Sequence, residues 1–207
     1  MQPIAIVDYG AGNVQAFINA YASIGIPAIR AADAPTINGA SRLILPGVGS
    51  FDWALERLNR SKLRSALEDS VLTRGTPVLG VCVGMQMLGE SSEEGIAKGL
   101  GWLPSKTVRF EEETAAGRRR LPHMGWSDVE ALSHPIFASL QDPRFYFLHS
   151  YYVIPECAGH AIAFCNYHDK YVSAVAKDNI VGVQFHPEKS HGWGTQLLKN
   201  FYHWRAC

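Results

Sequence analysis

No apolar run in the 207-residue chain approaches the roughly 20 residues that span a bilayer, and the opening MQPIAIVDYG has neither the basic region nor the cleavage site of a signal peptide. A cytoplasmic protein is expected. Net charge is lacking as well: 19 lysines and arginines face 19 acids, so no long-range field draws the chain to nucleic acid or to a membrane. Neither is expected as a partner. Even the run Arg118, Arg119, Arg120 is offset by Glu111, Glu112 and Glu113 just upstream, and the stretch reads as a solvated hairpin or loop. Cysteine is scarce: Cys82, Cys157, Cys165 and Cys207 form no C-x-x-C pair, so free thiols are expected. Cys157, His160, Cys165 and His168 follow a zinc-like spacing, but the intervening AIAF is an apolar strand pattern. These four are read as strand and loop positions, with no metal. Repeats, low-complexity tracts and linkers are missing, and 207 residues leave little room for a second catalytic domain. One domain over residues 1–207 is expected.

What the chain does have is a regular alternation over its first 90 residues. Short runs rich in valine and isoleucine (IAIVDY, PAIR, RLILPG, TPVLGV) alternate with helix-like segments (VQAFINAYASIG, FDWALERLNRSKLRSALEDSVL, CVGMQMLGE). That pattern predicts an α/β fold: an open, mostly parallel sheet with helices on both faces. Beyond Gly95 the pieces KTVRF, FYFLHSYYV, HAIAFC, YVSAVA and NIVGVQF predict further antiparallel strands, and GTQLLKNFYHW a last helix. Ligands of such sheets sit at the carboxyl ends of the strands, and the turns YGAGN, PGVGS and GVCVG fall there.

The segment Gly80, Val81, Cys82, Val83, Gly84 has the G-x-nucleophile-x-G form, a tight strand-to-helix turn that lifts a reactive side chain off the sheet. A Cβ at either glycine would collide with neighbouring backbone. The unpaired N–H groups at a helix start favour a thiolate, the nucleophilic form. A small buried apolar cysteine is the alternative. Near the C-terminus, VGVQFHPEKS places His186 and Glu188 two residues apart after an apolar strand. Alternate strand residues share a face, so the carboxylate is expected to orient the imidazole while the other ring nitrogen meets the thiol. Attack on an amide also needs oxyanion donors. The N–H of Val83 is one candidate, and the glycine-bearing turn at Val48 and Gly49 offers a second.

Together PGVGSF, GVCVGMQML and VQFHPEKS resemble the class I, triad-type glutamine amidotransferases. The strings IVDYGAGN, SSEEG, LPHMGWSDV and FYFLHSYYV look like one branch, whose members are glutaminase subunits serving histidine biosynthesis. The similarity runs in order over nearly the whole chain. It implies a flavodoxin-like α/β fold and a glutaminase that needs no cofactor, in which Cys82 attacks L-glutamine, His186 shuttles protons and Glu188 orients the imidazole. It implies glutamine contacts from Gln86, Glu94, Ser150 and Tyr151, each also readable as an ordinary polar helix or loop residue. It implies a heterodimer with a (βα)8-barrel cyclase that takes the ammonia to make imidazole glycerol phosphate. Asn13, Met124, Trp126, Tyr146 and Lys189 would be docking positions in loops. It also implies that the PGVG turn rests with a carbonyl toward the site and flips when the cyclase is liganded. Two features depart from the pattern: Val83 stands where leucine is common, and the bend around Arg118–Arg120 is unusually basic.

Three other readings stand beside this one. Gly10, Ala11, Gly12 and Ala16 satisfy a dinucleotide-binding G-x-G-x-x-A, with Asp33 near the place of a ribose-binding acid. An idle relative acting as a binding module would not need Cys82, His186 and Glu188 together. A paralogous subunit feeding another synthase is disfavoured only by PHMGW and HSYY.

Overall fold

The alternating half of the chain folds strand by strand, in a computed structural model that describes residues 3–206. In order come β1 (Ile4–Val7), α1 (Val14–Ser23), β2 (Ala28–Ala31), α2 (Ala34–Asn38), β3 (Leu43–Gly47), α3 (Phe51–Ser61), α4 (Arg64–Glu68), β4 (Val78–Cys82) and α5 (Val83–Met87). Side chains set several boundaries: Asn13 and Asp33 cap α1 and α2 by accepting from the N–H of Ala16 and Thr36 at 3.0 and 2.8 Å. Gly25, at φ +70°, follows the end of α1. The second half supplies β5 (Ser91–Ser92), β6 (Ser105–Arg109), β7 (Glu113–Thr114), β8 (Gly117–Arg118), β9 (His123–Ala131), β10 (Arg144–His149), β11 (Tyr151–Pro155), β12 (Ala161–Tyr167), β13 (Asp169–Lys177), β14 (Ile180–Val183) and α6 (His191–His203).

Nine strands form one sheet in the order β10-β9-β12-β13-β14-β4-β3-β1-β2. The β14-β4-β3-β1-β2 side is parallel throughout, and the pairings from β14 to β10 are antiparallel. Strands β1, β3, β4 and β14 are fully buried, which explains their unbroken apolar runs. Because β1 steps outward to β2 while β3 steps the other way to β4, right-handed crossovers put α1 and α3–α4 on opposite faces. Helix α6 packs beside α1, and α2 beside α4. A smaller sheet, β11-β6-β5, lies over the antiparallel side, with β11 packed on β13.

Four expectations are corrected here. FYFLHSYYV is two strands, β10 and β11, which leave Ser150 between them and belong to different sheets. The stretch HMGWSDVEA, assigned no element from its pattern, is the nine-residue strand β9. Helix α2 was not anticipated. The arginine run is not simply solvated: β7 and β8 do form a hairpin, yet Arg119 is only 4% exposed. Its guanidinium donates to the carbonyls of Tyr167 and Glu111, both at 2.9 Å, pairs with Asp169 at 2.7 Å and lies 4.8 Å over the Phe110 ring. A buried cation needs that many partners. Cys165 is buried in β12, whereas Cys157 is exposed at the start of a 3-10 turn. Among the described residues, no group of three or more His, Cys, Asp or Glu could hold a metal. Cys207 lies outside the described residues. No helix among them is long and apolar enough to cross a membrane.

Candidate active site

The three glycine-bearing turns follow β1, β3 and β4, which are neighbours in the parallel half, so they open at one end of the sheet. Cys82 ends β4 at φ +56°, a left-handed conformation that a non-glycine residue rarely adopts. The elbow is therefore a strained one, held by its surroundings. Glycines make it possible: a Cβ at Gly84 would strike the Leu45 carbonyl, and one at Gly80 would lie 2.7 Å from the Gly84 oxygen. A Cβ at Gly47, opposite Cys82 in the strand register, would likewise strike the Gly84 nitrogen. Helix α5 spans only five residues, so any polarisation of the sulfur comes from the unpaired N–H groups of its first turn.

Cys82 is 4% exposed and belongs to the buried core, yet two polar groups reach its sulfur. The Leu148 carbonyl lies 3.9 Å away, an acceptor for the thiol, and the Gln184 amide nitrogen lies at 3.8 Å, a donor to the sulfur. His186 and Glu188 meet at 2.8 Å through Nδ1 and Oε1, with side chains 5% and 3% exposed. A carboxylate accepts, so Nδ1 carries the hydrogen and Nε2 is the nitrogen left to serve the sulfur. Strand alternation is not what pairs them. β14 stops at Val183, and the two residues sit at the start of a 3-10 turn, Pro187–Lys189, that brings residues two apart together. Burial opposes charge on His186, but the Cys82 and Glu188 side chains outweigh it and lift its pKa to about 10. The imidazolium is thus favoured beside the sulfur. The second oxygen of Glu188, Oε2, is buried with no hydrogen-bond partner among the described residues.

The other predicted residues arrange themselves around this centre. Val83 starts α5, so its N–H has no helical carbonyl to meet, while Val48 is 40% exposed and Gly49 adopts φ +80°. Tyr9, beneath the turn, donates its hydroxyl to the Pro46 carbonyl at 2.6 Å. Gln86 is buried, and its amide donates to the Tyr151 carbonyl and to Gln184, each at 3.2 Å. Ser150 sits at the β10–β11 junction, where its carbonyl accepts from the N–H of Phe110 at 3.1 Å. Glu94 accepts from the Phe51 N–H at 2.8 Å, tying SSEEG to the start of α3; burial, offset by that bond, raises its pKa.

Met124 and Trp126 face Leu148 and Tyr146 across β9 and β10. They are strand residues, not loop residues. Met124 is 65% exposed, the Trp126 ring stacks on His191 at 5.3 Å, and the Lys189 ammonium lies 5.7 Å over the Tyr146 ring. Asn13 stands apart from them and shares a depression with Val48. Sequence reasoning missed Gln184, which bridges Gln86 and Cys82. Its signal was a lone amide inside the apolar run IVGVQF. Asp33, the acid a dinucleotide site would need, is engaged as the cap of α2.

A family profile described as glutamine amidotransferase class-I matches residues 5–204. The chain belongs to that family. It is 49% identical over 200 residues to the imidazole glycerol phosphate synthase subunit HisH of Bdellovibrio bacteriovorus, covering 96% of this chain and 98% of that protein. HisH 2 subunits of Pseudomonas aeruginosa and Methanococcus maripaludis are each 46% identical over the same shares. Within the family the chain falls in the HisH branch. Solved structures agree on the fold: a glutamine amidotransferase superposes with TM-score 0.73 at 17% identity, covering 97% of both chains. PurLQS from Thermotoga maritima gives 0.72 at 16% identity, covering 98% of this chain and 99% of that one.

Proposed function

We propose that this chain hydrolyses L-glutamine at Cys82, His186 and Glu188 and hands the ammonia to a (βα)8-barrel cyclase subunit, HisF, within a cytoplasmic heterodimer making imidazole glycerol phosphate for histidine biosynthesis. The observation that supports it most is a cysteine on a strained elbow, reached by the Leu148 carbonyl and the Gln184 amide, beside an imidazole fixed by a buried carboxylate at 2.8 Å. In this reading the Cys82 thiolate attacks the side-chain carbonyl carbon of glutamine. The oxyanion takes N–H groups from Val83 and from the Val48–Gly49 turn. As the C–N bond breaks, His186 gives the leaving nitrogen its proton, releasing ammonia and a γ-glutamyl thioester. The now neutral imidazole removes a proton from water, the hydroxide attacks the thioester, and glutamate leaves as the thiolate reforms. Gln86, Glu94, Ser150 and Tyr151 bind glutamine, Glu94 meeting its ammonium group.

Ammonia protonates at neutral pH and loses its lone pair, so it is useful only if passed on directly. Met124, Trp126, Tyr146 and Lys189 supply the surface of two aromatics, one methionine and one lysine on which a partner would dock, with Asn13 apart from it beside Val48. A subunit feeding a different synthase is the competing reading, and the HisH names of relatives at 46 to 49% identity favour the histidine-pathway cyclase. The test is to titrate the chain with that cyclase and follow glutamate release with and without the cyclase's nucleotide. Release that rises with cyclase and rises again with nucleotide is expected. Glutamine turnover by the free chain as fast as by the liganded complex would remove the flipping-turn control, and no turnover at all would remove the glutaminase reading.

A further inference from the structure

The core beneath the β10–β11 junction contains polar groups that the reaction above does not use. His149 and His123 are both buried, and the Tyr171 hydroxyl lies between them, 3.2 Å from His149 Nε2 and 3.0 Å from His123 Nδ1. His149 Nδ1 lies 2.8 Å from the Tyr151 carbonyl, and His123 Nε2 lies 2.8 Å from the Ser127 hydroxyl. A carbonyl only accepts, so His149 Nδ1 must carry hydrogen, and in a neutral ring Nε2 must then accept. Tyr171 therefore donates to His149 and accepts from His123 Nδ1. The hydroxyl of Ser127 completes the series by donating to His123 Nε2. Neutral rings are what this environment favours: burial is the main cause in both, and it lowers His149 to about 3 and His123 to about 4.

The result is a chain of donors that all point one way, from Ser127 in β9 through β13 to a single backbone carbonyl. That carbonyl also accepts from Gln86, whose amide reaches Gln184 and, through it, the Cys82 sulfur. We propose that His149 and Tyr171 are positioning residues for glutamine: they fix the Tyr151 carbonyl and the Gln86 amide, and with them the main chain where β10 changes to β11. The chain has no part in proton transfer to substrate. The triad is held elsewhere, by the β4–α5 elbow and by the 3-10 turn, where the His186 N–H donates to Tyr146 at 2.9 Å. Loss of the chain is thus expected to weaken glutamine binding more than it slows the chemistry. This inference rests on the assignment of Gln86, Ser150 and Tyr151 to glutamine binding.

The test compares steady-state glutamate release by the full chain with its cyclase, for the parent, His149→Leu, His149→Asn and Tyr171→Phe. Asparagine places an N–H close to the position of imidazole Nδ1, so it can restore the bond to Tyr151; leucine cannot. We expect His149→Leu to raise KM for glutamine about tenfold with kcat within about threefold of the parent. His149→Asn should return KM to within about threefold, and Tyr171→Phe should raise it by about three- to tenfold. Iodoacetamide labelling of Cys82 should proceed at the parent rate in all three variants. An unchanged KM in His149→Leu, no recovery in His149→Asn, or a joint fall in kcat and labelling would overturn the inference. If the leucine variant does not fold, a parent-like KM in Tyr171→Phe overturns it equally. A parent that releases no glutamate, or a Cys82→Ala chain that does, would instead sink the active-site reading on which it rests.

Discussion

In the proposed reaction the Cys82–His186–Glu188 group relies on three local conditions that coincide at single residues. The elbow strains one φ angle, a 3-10 turn joins two side chains, and burial keeps water from competing for the 2.8 Å contact. Ionisation follows from that arrangement. The His186 pKa is raised from 6.5 to about 10, so the stabilisation it provides is complete below the unfolded value and is lost as pH rises through the folded one. Replacing Glu188 by glutamine removes an acceptor charge and permits the wrong imidazole tautomer. Glutamate release by the complex is expected to fall by about 10³ to 10⁴. Chemical-denaturation curves should also lose part of the stability decline expected of the parent between pH 6.5 and 10. A variant with parent kcat would contradict the role given to Glu188.

Elements set what the sequence made legible. The parallel strands could be read because burial on both faces leaves unbroken apolar runs, and the elbow because two glycines mark it. Gly84 offers the sharpest check. A methyl there meets the Leu45 carbonyl at the contact of α5 with β3, so Gly84→Ala should destabilise the fold by about 3 kcal/mol or more in urea unfolding. Gly192→Ala, in α6 with open space around it, should be neutral or slightly stabilising. Equal behaviour of the two would contradict the packing account. Other elements were hidden for physical reasons. β9 escapes a pattern search because Met124 and Trp126 point outward while its buried positions include His123. The β10–β11 break at Ser150 lies inside the aromatic-rich stretch FYFLHSYYV, and no glycine or proline announces the change of sheet. Arg119 reads as surface charge until Asp169, 50 residues on, is placed against it. The pairing of His186 with Glu188 was legible, but the device joining them was not, since H-P-E fits a strand end and a 3-10 turn equally well.

The whole molecule combines a parallel half, whose central strand β4 ends in the strained elbow of the proposed nucleophile, with an antiparallel half whose interior favours two neutral histidines. That second feature governs acid stability. His123 and His149 bind protons less readily folded, at about 4 and about 3, than unfolded, so they stabilise the fold above pH 6.5 and that contribution is lost as pH falls toward those values. Between pH 4 and 6 unfolding should take up about two protons from this pair, measured as the pH slope of stability, and His149→Asn should take up about one fewer. An identical slope would place the acid sensitivity elsewhere. At the same scale, the exposed Met124 and Trp126 beside half-buried Tyr146 are the surface on which the proposed cyclase would dock, so the proposed function is one of a complex. The most direct measurement therefore uses that complex with Cys82→Ala, comparing imidazole glycerol phosphate formation from glutamine and from added ammonium salt. Synthesis from glutamine should disappear while synthesis from ammonium stays near the parent level; glutamine-dependent synthesis that survives the substitution would contradict the account at its root.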